Sequence, residues 1–116
     1  MRTACLLALA AIGLSAAEAA TYAQVAQVLE ARCTECHGAS KAKSKLRLDS
    51  PAHIRAGGKG GAVIVAQQPE QSRLYTLATL PADHEDRMPP KGERLTAEQL
   101  ALLKAWIAAG APMPAE

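Results

Sequence analysis

Three side chains able to bind or attack soft centres fall within five consecutive residues of this chain, Cys33, Cys36 and His37, in the stretch RCTECHGAS. Four chemistries use such atoms. A disulfide between Cys33 and Cys36 would close a tiny loop and join nothing distant. A zinc site needs four ligands, and a two-Cys, two-His finger spaces its histidines about three to five residues apart. Here His53 and His84 are remote from each other and from His37. A thioredoxin-like dithiol belongs at a strand-to-helix junction of an α/β chain, whereas these cysteines close what reads as a helix. Covalent c-type haem uses the whole quintet: two thiols add to two vinyl groups, and the imidazole of the next residue becomes the proximal iron ligand. The spacing therefore points to one haem c per chain, attached through Cys33 and Cys36, with His37 on its iron.

The sixth iron position has four candidates, His53, His84, Met88 and Met113. Met88 is the strongest. Pro89 and Pro90 follow it, removing two backbone donors and restricting the chain path, as a strap presenting a thioether requires. Its neighbours, DHEDRMPPKGER, are too polar for a methionine that merely fills a core. A thioether is a soft ligand that favours ferrous iron and raises the reduction potential.

These groups must be positioned by short helices. In TYAQVAQVLEARCTEC, Thr21 and Gln24 have capping-box spacing, and Tyr22, Val25, Val28, Leu29, Cys33 and Cys36 share an arc at helical periodicity. Arg32 interrupts that arc, so either its stem snorkels or the helix loosens before Cys33. In LTAEQLALLKAWIAAGAP, Thr96 and Gln99 repeat the capping box, with Leu100, Leu102, Leu103, Trp106 and Ile107 on the apolar face and Gly110 and Pro112 as the stop. Between them, SPAHIRAG reads as a helical turn begun by Ser50 and Pro51, and PEQSRLYTLATL as a short helix starting near Pro69 or Glu70. Gly57 to Gly61 lacks the Gly-Lys-Ser/Thr ending of a phosphate loop and reads as a turn. No strand alternation and no repeat is evident.

Arg2, the apolar run Ala4 to Leu14 and the small residues of Ala17-Glu18-Ala19 have the layout of a cleaved secretory signal, too short to span a bilayer. We expect the cut after Ala19, with Cys5 lost, leaving residues 20–116 as one domain in the periplasm with no integral membrane anchor. The chain is 49% hydrophobic but alanine-rich and without phenylalanine. Small exported domains usually need a staple, and a large apolar ring would supply core surface here. The net charge of +2 gives no basis for nucleic-acid binding. Lys41, Lys43 and Lys45 could form a local patch that steers an acidic redox partner, or simply a solvated loop.

The order helix, Cys-x-x-Cys-His, loops, MPP and a capped helix with a tryptophan resembles a small monohaem class I cytochrome c. More narrowly, CTECHG, LRLDS, GGKGG, PEQSRLY and RMPPKGERLTAEQLALLKAWIAAGAP resemble the planctomycete-type cytochrome c domain, from about Tyr22 to Pro114. The resemblance implies an all-α fold with the N- and C-terminal helices packed together around a covalent haem, and His37 and Met88 as axial ligands. Where such domains often carry Pro-Gly-Asp-Pro, this chain has AQQPEQSRLY. The function expected is transfer of single electrons between redox proteins, without catalysis. The alternatives are a haem module with a labile sixth position, acting as gas sensor or peroxidase with His84 as the nearest acid–base group, and a subunit docked permanently on an enzyme.

Overall fold

The computed structural model describes residues 20–115. The expected leader, with Cys5, lies outside the described residues. Helix α1 (Tyr22–Arg32) begins with the expected capping box: Gln24 N–H donates to Thr21 Oγ1 at 3.3 Å, and Gln24 Oε1 accepts from Thr21 N–H at 2.9 Å. It buries Val25, Val28 and Leu29. The long C-terminal helix, Ala97–Ala108, is capped in the same way by Thr96 and Gln99, at 3.0 and 2.8 Å, and buries Leu103, Trp106 and Ile107. Each such cap is worth about 1 kcal/mol, so both helices start where the sequence places them. The two helices pack against each other. Tyr22 meets Trp106 with ring centroids 6.3 Å apart, and the fully buried Trp106 donates its indole N–H to Pro112 O at 2.9 Å. That bond folds the tail back over the helix end.

Between these helices lie α2 (Pro51–Ala56) and α3 (Arg73–Thr76); the C-terminal helix is therefore α4. Ser50 caps α2, accepting from His53 N–H at 3.2 Å, with Pro51 in its first turn. Among the described residues there is no strand, only the isolated bridges His37–Ala42 and Gly58–Gly61. Gly57 to Gly61 forms the expected tight turn, Gly58 and Gly61 exchanging N–H···O bonds of 3.0 and 2.9 Å.

The stretch expected as one short helix from Pro69 or Glu70 is instead broken into a 3₁₀ turn at Pro69–Gln71, then α3, then a second 3₁₀ turn at Leu77–Thr79. Ser72 makes the break. Its side chain turns inward rather than capping α3: its Oγ accepts Val65 N–H at 2.8 Å and shares its proton between Gln68 O and Val65 O. A serine hydroxyl competes with helical bonding in this way. Ser72 is fully buried, and it ties the loop around Val65 to α3. We expect Ser72→Ala to strand the Val65 N–H and cost about 1–3 kcal/mol in denaturant unfolding of the mature protein. An unchanged midpoint would mean that water replaces the hydroxyl.

Candidate functional site

The site is built from the way α1 ends. Cys33 N–H and Thr34 N–H both donate to Leu29 O, at 2.7 and 3.0 Å, and Thr34 Oγ1 bonds Glu30 O at 3.3 Å. The helix stops at Arg32, so the arc expected to carry Cys36 does not continue that far. Thiol presentation passes from a helical face to a cap and a turn, in which Cys36 N–H and His37 N–H both reach Cys33 O, at 3.2 and 2.9 Å. Gly38 closes this turn. A Cβ there would stand 2.4 Å from the carbonyl oxygen of Thr34, backbone that cannot step aside. Only glycine fits.

His37 is held from behind. Its Nδ1 lies 3.1 Å from Lys43 O. A carbonyl only accepts, so Nδ1 carries the proton and Nε2 keeps a free lone pair. That is the arrangement of a metal-binding histidine with an oriented ring. Lys43 N–H returns to Cys36 O at 2.9 Å and Leu48 N–H to His37 O at 2.7 Å, so the 3₁₀ turn Lys43–Lys45 is bound to the motif on both sides.

Cys33, Cys36 and His37 open into a cleft of about 520 Å³ that is also lined by Met88, Pro89 and the apolar side chains of Leu46, Leu48, Val63, Leu74 and Leu77. Its volume lies in the range of ligand and cofactor sites, roughly 300–1,000 Å³. Met88 is anchored by its N–H to Leu77 O at 3.0 Å. His53 does not line the cleft, and its Nδ1 sits 2.7 Å from Ser50 Oγ. His84 is exposed outside it, with Nδ1 accepting Asp86 N–H at 3.0 Å. Met113 faces a separate cavity of about 260 Å³ beside Ile54 and Arg55. Of the four sixth-position candidates, Met88 alone shares the cleft with His37.

The donor set fits a covalent haem better than the alternatives. Burial pushes the Cys33 thiol up to about 11, against the lowering charge of Arg32, so it stays a neutral thiol at physiological pH. A reactive redox dithiol calls for the opposite shift. Among the described residues no three His, Cys, Asp or Glu side chains cluster to hold a metal ion. Two thiols, an imidazole with a free nitrogen and a thioether in an apolar cleft suit a haem.

Arg32, the blemish on the apolar arc, lines the cleft and reaches Glu93 at 3.0 Å. Lys59 and Arg73 also line the cleft, and Lys59 N–H donates to Ser44 O at 2.7 Å, which seats the glycine turn on Lys43–Lys45. Sequence reasoning missed both as site residues. The only signal for Lys59 was its place among glycines, and Arg73 carried none. Lys41, Lys43 and Lys45 are exposed.

Comparison with curated proteins gave no match, and neither did comparison with solved structures. The model of the family described as Planctomycete cytochrome C matches residues 33–92, just over half of the chain. The matched stretch begins at the first thiol of the Cys-x-x-Cys-His motif and runs past Met88, so it contains both cysteines, His37 and the Met-Pro-Pro strap. Among the described residues no helix is long and apolar enough to cross a membrane. On a match that spans the motif and the Met-Pro-Pro strap, the chain belongs to the planctomycete cytochrome c family.

Proposed function

We propose that this chain carries single electrons in the periplasm on one haem c, bonded through Cys33 and Cys36, with His37 and Met88 as its axial ligands. The observation that supports this most is the meeting of both thiols, His37 and Met88, from segments far apart in sequence, in a single apolar cleft. The haem supplies the one-electron ferric/ferrous couple. The chain's own residues do the rest. Lys43 O orients the His37 ring and leaves Nε2 as the nitrogen free to face the cleft. The Met88 sulfur, as a soft donor, would favour the reduced state. The apolar walls exclude water, which favours small reorganisation. The packing of α1 on α4 supports a class I arrangement. Export would follow from the leader, residues 1–19, with cleavage after Ala19.

A carrier is favoured over a catalyst because His84, the acid–base candidate nearest Met88 in sequence, is exposed outside the cleft. For docking, we propose that Lys41, Lys43 and Lys45 steer an acidic redox partner. The ion pairs of the described residues are Arg32–Glu93, Arg47–Asp49 and Lys104–Glu70, so none of the three lysines is in an ion pair among the described residues.

Denaturing mass spectrometry of protein matured with haem-attachment machinery should give the chain beginning at Ala20 plus one haem. The unmodified chain mass, or bound zinc, would refute the attachment. The double variant Cys33→Ala/Cys36→Ala should leave a largely unfolded chain by circular dichroism, since binding and folding are coupled.

The oxidised wild-type protein should show the weak red-end absorption band of a sulfur–ferric iron bond. Met88→Ala should abolish it, lower the potential and open the iron to cyanide or carbon monoxide, while Met113→Ala changes none of these. Rapid carbon monoxide binding by the unmutated ferrous protein would favour the gas-sensor or peroxidase alternative instead.

Reversing the charges of Lys41, Lys43 and Lys45 should slow electron transfer with an acidic partner near 0.01 M salt, where the Debye length is about 30 Å, and matter less near 0.15 M, where it is about 8 Å. Equal rates at both salts would return these lysines to a solvated loop.

A further inference from the structure

The segment that carries Met88 has little hydrophobic anchorage. Between Leu80 and Leu95 no residue is buried: Pro81 to Asp86 and Pro90 to Glu93 are exposed, and only Arg87, Met88, Pro89 and Arg94 are half-buried. Its internal bonds, His84 N–H to Pro81 O at 3.0 Å and Arg87 N–H to His84 O at 3.2 Å, shape a turn without tying it to the domain. Among the described residues, three polar contacts do tie it. Met88 N–H reaches Leu77 O, Arg32 pairs with Glu93, and the Arg94 guanidinium donates to Leu80 O.

These three ties are not equal. The side chain of Glu93 is 82% exposed, so the Arg32–Glu93 pair is screened and contributes little. Arg94 is half-buried and its acceptor is the carbonyl where the chain leaves the turn Leu77–Thr79. Arg94 itself immediately precedes buried Leu95 and the Thr96 cap of α4. The bond therefore joins the two ends of the segment at its base, where each end meets the packed domain. Arg94 Nε is buried without a partner, so the side chain keeps this position despite an uncompensated N–H.

We propose that Arg94 is a positioning residue that clamps the base of the Met88 segment and so keeps the thioether at the cleft. It does not line the cleft and acts through Leu80 O. This rests on the reading of Met88 as the sixth ligand. Without the clamp, the segment should open locally while the domain stays folded, because local opening and global unfolding have separate free energies.

The test uses mature holoprotein and carbon monoxide as the probe of an opened sixth position. Arg94→Met keeps the apolar stem and removes every donor; Arg94→Lys restores a charged donor. Loss of a charge-assisted bond should raise the opened population, and carbon monoxide association by the ferrous protein, about tenfold or more in Arg94→Met. The red-end band should weaken, the thermal midpoint should move little, and Arg94→Lys should recover most of the wild-type rate. Glu93→Gln should have a smaller effect than Arg94→Met. A folded Arg94→Met protein that binds carbon monoxide within twofold of wild type overturns the proposal. So does a failure of both Arg94→Met and Arg94→Lys to fold, which would assign the arginine to the whole domain. If the unmutated protein itself lacks the band and binds carbon monoxide rapidly, it is the Met88 reading that falls.

Discussion

The backbone turn from Leu29 to Gly38 is the constraint on which the site depends. Leu29 O takes two N–H groups and ends α1, Cys33 O takes the next two, and Gly38 passes so close to Thr34 O that no side chain can stand there. Because both thiols and the imidazole leave this turn within five residues, its geometry decides whether they enter one cavity. The Lys43 carbonyl, held by the same turn through Cys36 O, then selects which imidazole nitrogen is free. A change at any of these backbone contacts would reach the ligand atoms directly, since no flexible side chain lies between them.

The two sides of the site are held by different forces. The thiols and His37 lie just beyond α1, whose apolar side chains are packed under α4 and Trp106. Met88 belongs to a polar segment held by hydrogen bonds and one screened ion pair. Burial supplies most of the stability of a small domain, so a segment without buried side chains lies at the low end of local stability. The Met88 side of the cleft is thus the more easily displaced.

The middle of the chain works as a set of spacers. The loop around Val65 is stitched to α3 by Ser72 and to α4 by Gln67 N–H on Ile107 O at 2.9 Å. The glycine turn rests on Ser44, where a Cβ on Gly58 would lie 2.8 Å from the Ser44 carbonyl. Through these contacts Val63, Leu74 and Lys59 become cleft walls although none belongs to a chemical motif.

By itself the sequence determined the parts of this protein that depend on local spacing. The attachment quintet, both capping boxes, the Ser50–Pro51 helix start and the Met-Pro-Pro strap are each contained within a few residues, and hydrogen bonding between near neighbours is enough to specify them. The end of α1 was only half legible, because Arg32 marked a weakness in the helical arc without saying where the chain would turn. Tertiary structure decided everything that rests on meetings between distant segments: that Met88 lines the cleft of His37 while Met113, His53 and His84 lie outside it, that Ser72 breaks a helix to reach Val65, and that Arg94 meets Leu80 O and Arg32 meets Glu93 beside the strap. Such contacts carry no periodicity, since the partners are separated by a chain path that only packing sets, and an arginine beside a carbonyl fourteen residues away reads in sequence like any other surface charge.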